Sequence, residues 1–283
     1  MYCGATDPIA ARVHPGETFI VETTSFTEGH TCEDIASLDP KKAVAPLTGP
    51  IWVEGARPGQ TLKIHILEIQ LTRDFGCVIL VPGKGALGEH IHARLVRGIR
   101  LSGGLAHLNE RLAFPVAPML GKVSVAPAGE PVLCNRPGPF GGNMDNTHLH
   151  AGATLYLPVF VEGAYLGVGD GHALMSDGES SGSAVECEMR ATLRCALLDD
   201  LPITHPVAVS DGKTMTTAEG ETLEAASKQA LHNMALLLAR HHGLDYPEAA
   251  MLIGMAADLH TCQIVNPLVS VKVLVPHWLL PLP

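Results

Sequence analysis

SAVECEMRATLRCALL, residues 183–198, changes character from one residue to the next over most of its length. Val185, Cys187, Met189, Ala191 and Leu193 fall on one side of an extended chain, and Glu186, Glu188, Arg190, Thr192 and Arg194 on the other. Successive side chains of a strand point to opposite faces, so this pattern predicts a half-buried β-strand. Upstream, TFIVETTSF (18–26) and PLTGPIWVEGARPGQTLKIHILEIQL (46–71) read alike. In the second, Leu62, Ile64, Ile66 and Glu68 share one face after a hairpin-like break at ARPGQ (56–60). Both segments predict antiparallel β. GKVSVAPAG (121–129) and TLYLPVFVEGAYLGVGDGHAL (154–174) also read as strand, whereas residues 73–112, with the Gly-rich GKGALGEH (83–90), are expected to hold lid loops or a short helix.

After residue 200 the period changes. Leu223, Ala226, Ala230, Met234, Leu237 and Leu238 recur at helical spacing, with Gly243 as the stop. A second helix is expected over PEAAMLIGMAADLH (247–260), with Pro247 in its first turn, and the apolar strand VNPLVSVKVLVP (265–276) follows. The expected fold is mainly β with a smaller α/β portion. Residues 1–200 form an antiparallel sandwich- or barrel-like body carrying the site, and 201–283 a helical segment plus closing strand packed on it.

Composition narrows the function classes. Nineteen Lys and Arg against 29 Asp and Glu leave a net charge of −10 over 283 residues, without the positive field that a phosphate backbone requires. Nucleic acid is therefore not an expected partner. No run approaches the roughly 18 apolar residues of a membrane span, and MYCGATDPIAARVHPG lacks the layout of a signal peptide, so a cytoplasmic protein without membrane contact is expected. Seven cysteines without a C-x-x-C pair fit reduced, buried thiols better than a disulfide framework or a thiolate metal site.

Potential ligands concentrate in GGNMDNTHLHAG (141–152) and GVGDGHALMSDGESSGSAVECE (167–188). Asp170 and His172, at i and i+2 of a strand, can address one ion, and Asp177 and Glu179 repeat the spacing. One His among carboxylates suits a divalent ion of borderline hardness such as zinc, whereas an all-oxygen site favours calcium or magnesium. Asp-Gly pairs are also ordinary turn chemistry, so the string could equally be two hairpin ends. Ser181 stands where a calcium loop needs its twelfth-position Glu, which argues against an EF-hand. Cys134, beside Asn135, is the thiol nearest this cluster and a competing nucleophile.

These strings together resemble the acetamidase/formamidase family of amide hydrolases. HPGETFIVET (14–23), PLTGPIWVEGARPGQTL (46–62), PMLGKVSVAP (118–127), Gly142–Asp145, Gly169–His172, Asp177–Glu179 with Glu186, and VNPLVSVKVLVP carry the resemblance over nearly the whole chain. It implies a mainly β architecture, a homo-oligomer, a divalent metal, and hydrolysis of a small amide to carboxylate and ammonia. On this reading Asp145, Asp170 and His172 hold the metal, with zinc first and calcium as the alternative. Glu179, or Asp177 in its place, does acid/base work, and Asn143 with a backbone N–H of the glycine loop holds the oxyanion. Zinc lowers the pKa of water from about 15.7 to about 7, which supplies the nucleophile that a resonance-stabilised amide requires. The family usually reads Ala-Ala-Gln-Gly where this chain has Ala173, Leu174, Met175 and Ser176, so a polar Gln is expected to be missing from the pocket wall at Met175. A larger or cyclic amide, or a non-catalytic binding role, are the alternatives this departure suggests.

Overall fold

The computed structural model describes residues 2–5, 8–39 and 45–283. The alternation of 183–198 holds from Met189 onward, where Met189, Ala191, Leu193 and Cys195 are buried and Arg190 and Arg194 exposed. Met189–Leu198 pairs on one side with Thr61–Leu71 and on the other with Thr18–Thr23, both antiparallel. The sheet continues from Thr61–Leu71 through Thr154–Pro158, Val207–Ser210, Lys213–Gly220, Val269–Pro276 and Asp258–Gln263, eight strands in all. Strands from before and after residue 200 thus share one sheet.

An eleven-stranded sheet faces it. Its centre is Leu166–Leu174, paired antiparallel with Met119–Ser124 and with the short strand Val185–Glu186. Leu62, Ile64, Ile66 and Leu193 of the first sheet and Leu120, Val123, Leu166 and Val168 of the second belong to one buried core, so the molecule is a sandwich of antiparallel sheets. The named strands pair antiparallel except Ala11–Val13, which lies parallel to Leu47–Val53.

Helix α1 (Leu223–His242) begins at Thr222, whose side chain accepts from the Ala225 N–H, and ends at Gly243 in the left-handed region. Its buried Ala226, Ala230, Met234 and Leu238 cover Val271, Val273 and Val275, the outer face of the strand Val269–Pro276. The inner face of that strand carries Ser270 and Lys272, both fully buried.

Three expectations are corrected. Residues 73–112 contain the strand pair Phe75–Leu80 and Leu95–Ser102, and the Gly-rich stretch holds only a 3-10 turn at Gly88–His90. Helix α2 is Tyr246–Ala256, and Asp258–His260 is strand, because Asp258, Leu259 and His260 pair with Leu274, Val273 and Lys272. The run 154–174 is two strands in different sheets, separated by a turn containing Gly163. In each case pairing with distant chain overrode the local pattern. All seven cysteines are unpaired. Among the described residues no helix is long and apolar enough to cross a membrane.

Candidate active site

Leu166–Leu174 carries Asp170 and His172 inside the sandwich, 6% and 1% exposed. His172 sits opposite Glu186, and its Nε2 lies 3.3 Å from Glu186 Oε2 and 3.6 Å from Asp170 Oδ1. Asp145 follows the strand Gly141–Asn143 and is 1% exposed. One ligand atom from each of Asp145, Asp170 and His172 lies within 4.8 Å of the others, and His172, Glu179 and Glu186 form a second such group. Asp145, Asp170 and Glu179 all hold φ between 45° and 57°, a region uncommon for residues with a side chain. Such backbone persists where the surroundings over-determine it, as at functional sites.

These residues fit a divalent cation. Asp145 Oδ1 and both ring nitrogens of His172 are buried without a hydrogen-bond partner among the described residues. An orphaned buried acceptor is costly, and an ion shared by the three groups would satisfy Asp145 Oδ1 and one ring nitrogen of His172. Asp145 Oδ2 accepts from Asn266 Nδ2 at 3.0 Å, which orients the carboxylate as outer-shell partners do. A Cβ at Gly121 would stand 2.6 Å from Asp145 Oδ1 and 2.9 Å from His172 Cε1, so glycine keeps this space open. The donor set, one imidazole with carboxylates, is one that zinc accepts.

The electrostatics are those of crowded acids. Burial, then Asp170, push the Asp145 carboxyl up to about 7, against the pull of His172 and Lys122. Burial also raises Glu179 well above the carboxylate range, with Asp145 adding to it. Asp170 goes the other way: burial opposes its ionisation, but Lys122 and His172 outweigh it and hold the carboxyl below its ordinary value. Burial would lower His172, yet Glu186 and Asp170 together raise it well above the usual imidazole range.

A cavity of about 560 Å³ opens onto this cluster, lined by Asp170, Glu179, Glu186, Asn143, Lys122 and Asn266 among others. Asn143 Oδ1 is buried without a partner among the described residues. The expectation that Asp177 and Glu179 repeat the strand spacing fails, since no strand runs through residues 175–182 and Glu179 has φ 45°. Glu179 lines the cavity while Asp177 turns toward Val269–Pro276, accepting from Lys272 Nζ at 2.6 Å and Thr147 Oγ1 at 2.8 Å. Met175 packs with Met119 and Ala184 and lines an adjoining cavity of about 410 Å³ that shares Glu179, Ser181 and Ser183 with the larger one. Cys134 is buried in the apolar core and does not line the larger cavity.

Lys122 joins the site without having been chosen from the sequence, and Glu186, which the sequence offered only as part of the family pattern and with no role, joins it beside His172. Strict alternation put Glu186 on the outer face, but the chain leaves one sheet after Glu186 and enters the other at Met189, which turns Glu186 inward. For Lys122 the sequence signal was a lysine alone inside the apolar run PMLGKVSVAP. Asn266 carries none.

Comparison with known proteins matches this architecture. An acetamidase of Bacillus halodurans of known structure is 37% identical, superimposes with a TM-score of 0.94, and is covered over 97% of its length by 99% of this chain. The acetamidase of Mycolicibacterium smegmatis is 29% identical over 61% of this chain and 59% of its own length. The formamidase of Methylophilus methylotrophus is 27% identical over 78% and 72%. The chain spans 65% and 59% of the first two curated relatives it matches. The model of the acetamidase/formamidase family matches residues 6–135 and 135–279, including every strand that supplies the acidic cluster, and the chain belongs to that family.

Proposed function

We propose that this chain hydrolyses the C–N bond of a small linear amide to a carboxylate and ammonia, using a divalent ion, zinc first, held by Asp145, Asp170 and His172. The single observation that carries the reading is the group of clustered ligand atoms of Asp145, Asp170 and His172, with Asp145 Oδ1 unsatisfied and Asp170 lining the 560 Å³ cavity together with the half-buried carboxyl of Glu179. A bound ion of this kind polarises the amide carbonyl and makes water a nucleophile near neutral pH.

The protein groups do the rest. Glu179, whose burial raises its affinity for a proton, acts as the carboxylate and accepts a proton from water as it adds to the carbonyl carbon. It returns that proton to the nitrogen as the C–N bond breaks, so that ammonia and not amide anion departs. Glu186 accepts from Ser183 Oγ at 3.2 Å and the Ala184 N–H at 3.3 Å, and so fixes the carboxylate beside His172. Asn143 offers its amide to the substrate oxygen, and Asp177 holds the loop that carries Glu179.

Cavity size favours a second reading of the substrate. About 560 Å³ is in the range that admits drug-sized ligands, more than acetamide needs, and apolar Phe26, Ile79 and Val81 line part of it. A larger or cyclic amide would use that wall. Ammonia release from formamide, acetamide and longer primary aliphatic amides, and amino-acid release from lactams, before and after metal stripping and zinc addition, test both. Turnover lost on stripping and restored by zinc is expected; full turnover by the stripped protein, or none on any amide, overturns the proposal.

A further inference from the structure

Met119–Ser124 is buried throughout, yet it carries a lysine. Lys122 is 4% exposed, among side chains such as Leu120 and Val123 that need no partner. A buried ammonium persists only when its protons are bonded. Two of its three have acceptors: Asp170 Oδ2 at 3.2 Å and the Ala45 carbonyl at 3.1 Å. The side chain also lines the large cavity.

Its neighbours across the sheet are informative. Lys122 is registered opposite Asn143 on one side and Gly169 on the other. Directly opposed residues of antiparallel strands project to the same face, so Lys122 and Asn143 stand abreast, and both line the cavity. Gly169 leaves the third place in that row without a side chain.

We propose that Lys122 is a catalytic residue of the amide hydrolysis proposed above, on which this inference rests: its third N–H donates to the substrate's carbonyl oxygen as negative charge develops there. When water adds to the carbonyl carbon, the C=O π pair moves to oxygen. That oxygen accepts from Lys122 and Asn143, and the pair returns when the C–N bond breaks. No proton leaves Lys122. A fixed charged donor aimed at developing charge in a closed site acts mainly on the transition state.

The test is Lys122→Met and Lys122→Gln, each assayed for turnover per bound zinc. The expected result is a fall in kcat of about 100- to 1000-fold for Lys122→Met, a smaller fall for Lys122→Gln, KM within a few-fold, and zinc content as in the wild type. Methylphosphonamidate, a tetrahedral analogue of acetamide, should bind Lys122→Met more weakly by a similar factor while acetamide affinity stays within a few-fold. A lysine that only neutralises the acids predicts lost zinc with unchanged turnover per bound ion, and that result overturns the proposal. A crystal structure of the zinc-loaded wild type with methylphosphonamidate decides the matter even if both variants fail to fold. Lys122 Nζ within hydrogen-bond reach of the phosphoryl oxygen supports the proposal, and a separation beyond about 4 Å overturns it. A wild type that releases no ammonia from any amide removes the parent reading as well; an active wild type matched by its variants removes this inference alone.

Discussion

At the scale of single residues, Asp177 and Glu179 are two carboxylates separated by one glycine and committed to different work. Glu179 is half-buried beside the acidic cluster and lines the cavity; Asp177 is bonded away from it by Lys272 and Thr147. Glu179→Gln keeps the size of the side chain and removes the proton carrier. It should fold with an unchanged circular dichroism spectrum and zinc content and lose about 100- to 10,000-fold in kcat in an ammonia-release assay. Their difference was not legible in DGE as text, because both residues lie outside any strand, where no i, i+2 rule fixes direction.

At the scale of elements, the loop 175–182 is tied to Val269–Pro276 through Lys272, a fully buried cation that also donates to Asn146 Oδ1 at 3.4 Å and Thr147 Oγ1 at 2.8 Å. Removing its only carboxylate acceptor among the described residues leaves a buried charge without its counter-ion. Asp177→Ala should therefore destabilise the fold by about 2–3 kcal/mol in urea unfolding. The pH dependence has a definite sign. Burial opposes the Asp177 charge, but the Lys272 hydrogen bond outweighs it and lowers the carboxyl below its ordinary 3.8. The stabilisation is thus complete above the unfolded value and lost as pH falls through the lower folded one. The gap between wild type and Asp177→Ala should be constant above about pH 5 and narrow as pH falls through the lowered carboxyl value of the folded state. The N-cap at Thr222 and the stop at Gly243 are local chemistry, and α1 ends at the glycine the sequence marked; α2 ends earlier than its pattern because the next residues find a strand partner.

At the scale of the whole molecule, the two sheets enclose the site and the helices cover the outer face of one of them. Among the large apolar side chains left exposed, Met251 and Met255, four residues apart on α2, are 67% and 78% exposed, and Trp278 is 77% exposed. Large apolar side chains exposed together mark contact surfaces, in keeping with the homo-oligomer that the family resemblance implies. Sedimentation velocity should show an assembly larger than 29.9 kDa, and Met255→Glu should shift it toward the monomer while leaving turnover per chain within about twofold. A wild type that sediments as a monomer at micromolar concentration would count against this assembly.

What the sequence determined by itself is what depends on near neighbours. Alternation gave antiparallel strands, helical spacing gave α1, and the i, i+2 spacing on a strand brought Asp170 and His172 to one place. Tertiary structure decided what depends on which sheet a segment joins. The crossing between sheets after Glu186 turned an outward glutamate into a site residue, the split of 154–174 put Leu166–Leu174 at the centre of the second sheet, and pairing with Asn143 and Gly169 set Lys122 at the cavity wall. The physical reason is that a strand's side-chain direction has period two, so a register or sheet chosen by distant partners reverses which residues face the site.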